Sequence, residues 1–144
     1  MISPRVTELR QREKSAGLNG LAAYSDFAEQ VKATKRSLLR FLIEANDAGK
    51  QVVGYGAPAK GNTLLNYCGI RSDLLEYTVD RSPHKQGRFL PGTHIPIYAP
   101  EKLRETKPDY VLILPWNIKD EIRMQLSDLR SKLVVPIPKV AVLD

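Results

Sequence analysis

Residues 51–69 read QVVGYGAPAKGNTLLNYCG. An apolar run ends in a glycine-bearing turn, and a helix-forming pattern starts at once. Gly54, Gly56 and Ala59 have the G-x-G-x-x-G/A spacing found where a strand hands over to a helix beneath a bound pyrophosphate. Glycine lets the backbone pass close to a ligand. The unpaired N–H groups of the helix start then face an anion. Pro58 suits the first helical turn, where its missing N–H costs little. Asp80 lies 21 residues after Ala59, where an acid often takes a ribose hydroxyl.

Two other readings of the turn stay open. GAPAKGNT, residues 56–63, nearly spells a phosphate-binding P-loop, but Lys60 precedes Gly61 instead of following it, which misplaces the amine. Alternatively, the turn is a tight crossover whose glycines only permit close packing. That reading leaves Lys60 unexplained, because packing needs no cation at a helix start, where the helix dipole disfavours one.

Outward from the turn, the pattern after Gln51 alternates between strands and helices. QVVGYG, LLEYTVD, IPIY, YVLILP and KLVVPIP are strand-like, and VAVL is a candidate tail strand. YVLILP is apolar throughout, as expected of a central strand buried on both faces. Helical patterns cover APAKGNTLLNYC, residues 100–106 and residues 117–130, the last with Ile118, Ile122, Leu126 and Leu129 inward. This alternation predicts an α/β fold: a Rossmann-like, doubly wound, mostly parallel five-stranded sheet with helices on both faces.

Residues 1–49 read as N-terminal helices that connect to and pack on the domain formed by residues 50–144. VTELRQREKSAG is a short charged helix. A long one is expected over 26–48, with Asp26 and Glu29 at capping-box spacing and Phe27, Val31, Leu38, Leu42 and Ala45 as its apolar stripe. Gly49 is its stop signal.

The 144 residues suffice for a real core, and a net charge of +6 favours anionic partners. Cys68 is the only cysteine, which excludes an internal disulfide and fits a reducing compartment. With His84 and His94 it is too sparse for a zinc centre, so no metal is expected. The chain has neither a membrane-length apolar stretch nor a signal-type start, and a cytoplasmic location is the expectation. Basic charge permits nucleic-acid binding, but no recognition motif or interleaved aromatics support it.

Further candidates follow the strands. Asp80-Arg-Ser-Pro-His-Lys-Gln-Gly-Arg88 is polar and basic, so Arg81, His84, Lys85 and Arg88 are candidate diphosphate contacts, or simply a solvated loop. His84 is a weak candidate for an acid–base role, against the plainer reading of a surface histidine. Asn117 follows YVLILP and has the look of a helix cap. Trp116, the only tryptophan, either stacks on a base or sugar or wedges between helices. Cys68 reads as a buried, inert thiol.

GYGAPAKGNTLLNYCGI, TVDRSPHKQGRFLPGTHIPIYAPEKL and DYVLILPWN together resemble the C-terminal domain of S-adenosylmethionine-dependent sugar C-methyltransferases, over about residues 20–140. Such enzymes act on nucleotide-linked keto-deoxysugars. They have an N-terminal zinc-binding domain, a middle domain that binds the methyl donor, and a Rossmann-like third domain that helps hold the nucleotide-sugar. The resemblance implies that Gly56, Ala57, Pro58, Lys60, Gly61 and Asn62 line the substrate pocket, with Asp80, His84, Lys85, Trp116 and Asn117 joining them. It also implies that S-adenosylmethionine and the catalytic base belong to the middle domain, whose signals this chain lacks. No catalytic residue is therefore expected here. The competing function is a stand-alone NAD- or nucleotide-binding regulatory module, favoured by the fingerprint and Asp80.

Overall fold

A computed structural model describes residues 2–143, which cluster into two compact units divided between Ala33 and Thr34. Within the first, α1 (Pro4–Ser15) carries proline in its first turn and has no buried residue. Tyr24 Oη donates to the Leu18 carbonyl at 2.9 Å. The long helix α2 (Leu21–Asp47) runs from the first unit into the second. It begins five residues before the expected cap at Asp26, because Leu21, Ala22 and Ala23 are strong helix formers that extend it upstream. Asp26 therefore sits inside the helix, and Phe27 is exposed instead of joining the buried stripe. Leu38, Leu42 and Ala45 are buried as the periodicity predicts.

The second unit is built on a six-stranded sheet: β1 (Val52–Tyr55), β2 (Thr78–Val79), β3 (Ile97–Tyr98), β4 (Tyr110–Ile113), β5 (Lys132–Val135) and β6 (Ala141–Leu143). Their order across the sheet is β3-β2-β1-β4-β5-β6. The first five are parallel, and β6 joins β5 antiparallel. The tail strand thus makes six strands where five were expected. Between them lie α3 (Ala59–Cys68), α4 (Lys102–Thr106) and α5 (Lys119–Gln125).

Strand alternation sorts the core onto two faces. Val52, Leu112, Leu114 and Val134 pack with Leu38 and Leu42 of α2 and Leu65 and Cys68 of α3. Val53, Val111, Ile113 and Val135 pack with Leu103 of α4 and Ile122 of α5. With helices on both faces, β1 is buried at every position and β4 at three of four, the signature of central parallel strands.

Two segments differ from their sequence patterns. LLEYTVD yields only the two-residue β2, and Leu75 and Tyr77 reach the core from the preceding loop. The helix expected over 117–130 becomes a 3-10 turn, Trp116–Ile118, followed by the shorter α5. Ser127 and Asp128 favour turns over helix interior, and Ile118 is exposed while Ile122 and Leu126 are buried. No helix among the described residues is long and apolar enough to cross a membrane.

Candidate substrate crevice at the strand switch

From β1 the chain winds toward β2 and β3, then crosses back to β4 on the other side of β1. The carboxyl ends of β1 and β4 therefore flank the point where strand order reverses, the position of the binding crevice in open α/β sheets. The turn after β1 supplies Gly56 to Asn62. The turn after β4 supplies Pro115, Trp116 and Asn117.

The glycine turn is held from beneath. Gly56 donates to the Val79 carbonyl at 2.6 Å and accepts from Thr78 Oγ1 at 2.8 Å. Asp80 Oδ2 accepts from the Ala57 N–H at 2.7 Å, and its Oδ1 accepts from the Ser82 N–H at 2.9 Å. Lys85 Nζ donates both to the Ala57 carbonyl at 3.0 Å and to Asp80 Oδ2 at 3.2 Å. Both polar groups of Ala57 are thus gripped by one Asp–Lys pair. Gln86 Nε2 fixes the Asp80 carbonyl at 2.9 Å.

The glycines are explained by packing. Gly56 has φ +87°, and a Cβ there would lie 2.7 Å from Pro115 Cδ. A Cβ on Gly61 would lie 2.8 Å from Leu114 Cβ, and one on Gly54 would lie 2.6 Å from Thr78 Oγ1. Close approach of β4 and β2 to the turn requires all three.

Lys60 is not explained that way. Its ammonium hydrogen-bonds Asn117 Oδ1 across the switch point and lies 4.8 Å from the centre of the Trp116 ring. Lys60, distant in sequence from Trp116 and Asn117, meets them in space. Asn117, expected as a helix cap, makes no capping bond and points to Lys60 instead. Pro58 occupies the N-cap position of α3, just before the helix, and no side chain caps that end. The first intrahelical donor is Asn62 N–H, bonded to the Pro58 carbonyl, and the N–H groups of Ala59, Lys60 and Gly61 have no hydrogen-bond partner among the described residues.

The remaining candidates divide. Asn62 Oδ1 and its carbonyl accept from Asn66 Nδ2, which also donates to the Pro91 carbonyl at 3.0 Å. His84 is exposed and makes no hydrogen bond among the described residues, so it stands outside this network. Arg81 and Arg88 are likewise exposed. Cys68 is buried late in α3, and burial pushes its thiol pKa up, which suppresses the reactive thiolate. Sequence reasoning missed Thr78, Asn66 and Gly92. A polar threonine in an otherwise apolar strand was the one available signal for Thr78. The Asn66–Gly92 approach, too close to admit a Cβ on Gly92, has no local sequence mark.

An adenosine cofactor seated on this turn needs a free acid for its ribose hydroxyls. Asp80 occupies the right position, but its carboxylate already takes three donors, the Ala57 N–H from the glycine turn and Ser82 and Lys85 from its own loop. Asp80 is thus committed to shaping the turn, with two donors on Oδ2 and one on Oδ1.

Strand order and the strand–turn–helix unit define a doubly wound, Rossmann-like domain. The family model of the C-methyltransferase C-terminal domain matches residues 1–138, and the chain belongs to that family. The C-methyltransferase NovU of Streptomyces niveus is 37% identical over 149 residues, which cover 99% of this chain and 35% of the relative. The chain thus spans about a third of that protein's length. Among solved structures, UDP-D-quinovosamine 4-dehydrogenase from Vibrio fischeri is similar in fold, with TM-score 0.50 and 20% identity over 66% of this chain and 93% of that one.

Proposed function

We propose that this C-methyltransferase C-terminal domain holds a nucleotide-linked keto-deoxysugar for an enzyme that methylates it at carbon. The observation that carries the reading is the meeting of Lys60, Trp116 and Asn117 across the strand switch, beside the uncapped start of α3. Lys60 and the open N–H groups of α3 form a site of positive potential suited to a diphosphate. Trp116 offers a ring for a sugar or base, and Asn117 keeps the ammonium in place until phosphate replaces it. Asp80 and Lys85 act as positioning residues that keep Ala57, and with it the turn, in one conformation.

In this reading the chain binds and orients, and proximity supplies much of the rate. Proton removal next to the keto group and methyl transfer from S-adenosylmethionine belong to parts of the enzyme beyond this chain. Residues 1–49 form the helical connector toward them.

Calorimetric titration of the chain with a deoxythymidine diphosphate sugar, S-adenosylmethionine and NAD tests the proposal. The expected result is binding of the sugar nucleotide alone. A charge-assisted contact contributes about 1.5–3 kcal/mol. Lys60→Ala should therefore weaken binding roughly ten- to hundredfold with an unchanged thermal melt. Selective NAD binding would instead make the chain a dinucleotide module, and unchanged affinity in Lys60→Ala would remove Lys60 from the site.

A further inference from the structure

We propose that the opposite edge of the sheet carries a second anion site, a basic cavity that binds a polyphosphate group. The cavity encloses about 720 Å³ at the amino ends of β1, β4 and β5. That size is in the range of small-molecule sites. Five cations line it: Lys50 just before β1, Lys107 just before β4, Lys132 at the start of β5, and Arg104 and Arg130 beside them. Two carboxylates, Asp109 and Asp128, line it as well. The balance of three positive charges is half of the chain's net +6.

Both carboxylates are already engaged. Asp109 pairs with Lys50 at 2.9 Å and takes the Gln51 N–H on its other oxygen at 3.0 Å. Asp128 pairs with Arg104 at 2.9 Å. Lys107, Arg130 and Lys132 have no acidic partner among the described residues. Like charges gathered around one concavity repel, and an anion with several charges relieves that repulsion. The helix dipole accounts for a cation at Lys107, directly after α4. It does not account for Arg130 or Lys132, because it fades within the last helical turn. Lys107 also adopts φ +50°, a conformation uncommon for residues other than glycine, asparagine and aspartate. Pro108, Tyr110 and Leu129 complete the wall with apolar surface, room for the body of a phosphorylated compound. The site lies at the amino edge of the sheet, whereas Lys60 and the glycine turn lie at the carboxyl edge, so the proposal stands independently of the function above.

The test is a titration of the isotope-labelled chain with inorganic pyrophosphate, followed by backbone amide NMR. Saturable shifts are expected at residues 104–110 and 128–132. Arg130→Gln combined with Lys132→Gln should weaken binding, read at those residues, at least tenfold. Lys107→Gln, with an expected threefold or larger loss, serves as the second variant should the double variant fail to fold. Thymidine diphosphate in a parallel arm separates the sources: tighter binding with a shift at Tyr110 assigns a nucleotide, and equal binding assigns a free polyphosphate. Shifts at residues 104–110 and 128–132 that never saturate or that persist in the charge variants, or shifts confined to residues 56–62, would overturn the proposal.

Discussion

Two aspartates bind the two ends of β1 with the same chemistry, and they differ in what lies around them. At the amino end, Asp109 takes the Gln51 N–H and pairs with Lys50. At the carboxyl end, Asp80 takes the Ala57 N–H and pairs with Lys85. The Asp109 pair is open to water, with side-chain exposures of 50% for Lys50 and 38% for Asp109, whereas the Asp80 side chain is only 14% exposed. Solvent screens the first pair, so its effect on stability is small. In the second only the carboxylate is shielded, since the Lys85 side chain is 43% exposed, but Lys85 also grips the Ala57 carbonyl, so the pair fixes a turn instead of pinning a strand start. An Asp–Lys pair therefore has no fixed role. Burial and the backbone it holds decide whether it staples an edge or shapes a site.

The largest change is expected where the shaped turn itself is altered. Gly56→Ala forces a Cβ against Pro115 at a left-handed φ. Strain and overpacking together should cost roughly 2–5 kcal/mol in urea unfolding. A variant as stable as wild type would show that β4 can retreat from the turn. Asp80→Asn comes next. Replacing a shielded carboxylate that accepts three donors should cost about 1–3 kcal/mol and loosen the turn. Faster amide hydrogen exchange at Ala57 and Ser82 is the specific readout, since a change confined to global stability would reduce Asp80 to an ordinary tether.

Asp109→Asn should give the smallest effect, a melting temperature within about 2 °C of wild type at neutral pH. Its pH dependence sharpens the comparison. The Lys50 hydrogen bond, then the Gln51 N–H, holds the Asp109 carboxyl below its ordinary 3.8. A depressed carboxylate stabilises the fold above 3.8 and loses that contribution as pH falls through the folded value. The same hydrogen bond raises Lys50 above 10.5, so its contribution is present below 10.5 and fades as pH rises through the raised value. Thermal melts of Asp109→Asn between pH 2 and 5 should show a flatter acid limb than wild type. An identical limb would mean that other carboxylates govern acid unfolding.

Much of this was legible because it is local. The run VVGY, the glycine spacing and the apolar YVLI mark a central parallel pair wherever they occur, since a strand covered on both faces must be apolar throughout. Alternating strands and helices then restrict the chain to a doubly wound sheet. The limits of elements were less legible than their existence. LLEYTVD formed two strand residues, and α2 began upstream of its best cap.

The sequence by itself determined the strand–turn–helix unit, the acid at the end of β2 and the buried face of α2, because each depends on residues within a turn or a periodic face. Tertiary structure alone decided what the polar side chains do. Asp80 could have faced a ribose and instead holds Ala57, Asn117 could have capped a helix and instead meets Lys60, and five cations from α4 and the approaches to β1, β4 and β5 line one cavity. Hydrogen bonds and charges act over a few ångströms, and which groups come within that reach is set by the crossing of β4 beside β1, which no local stretch of sequence encodes.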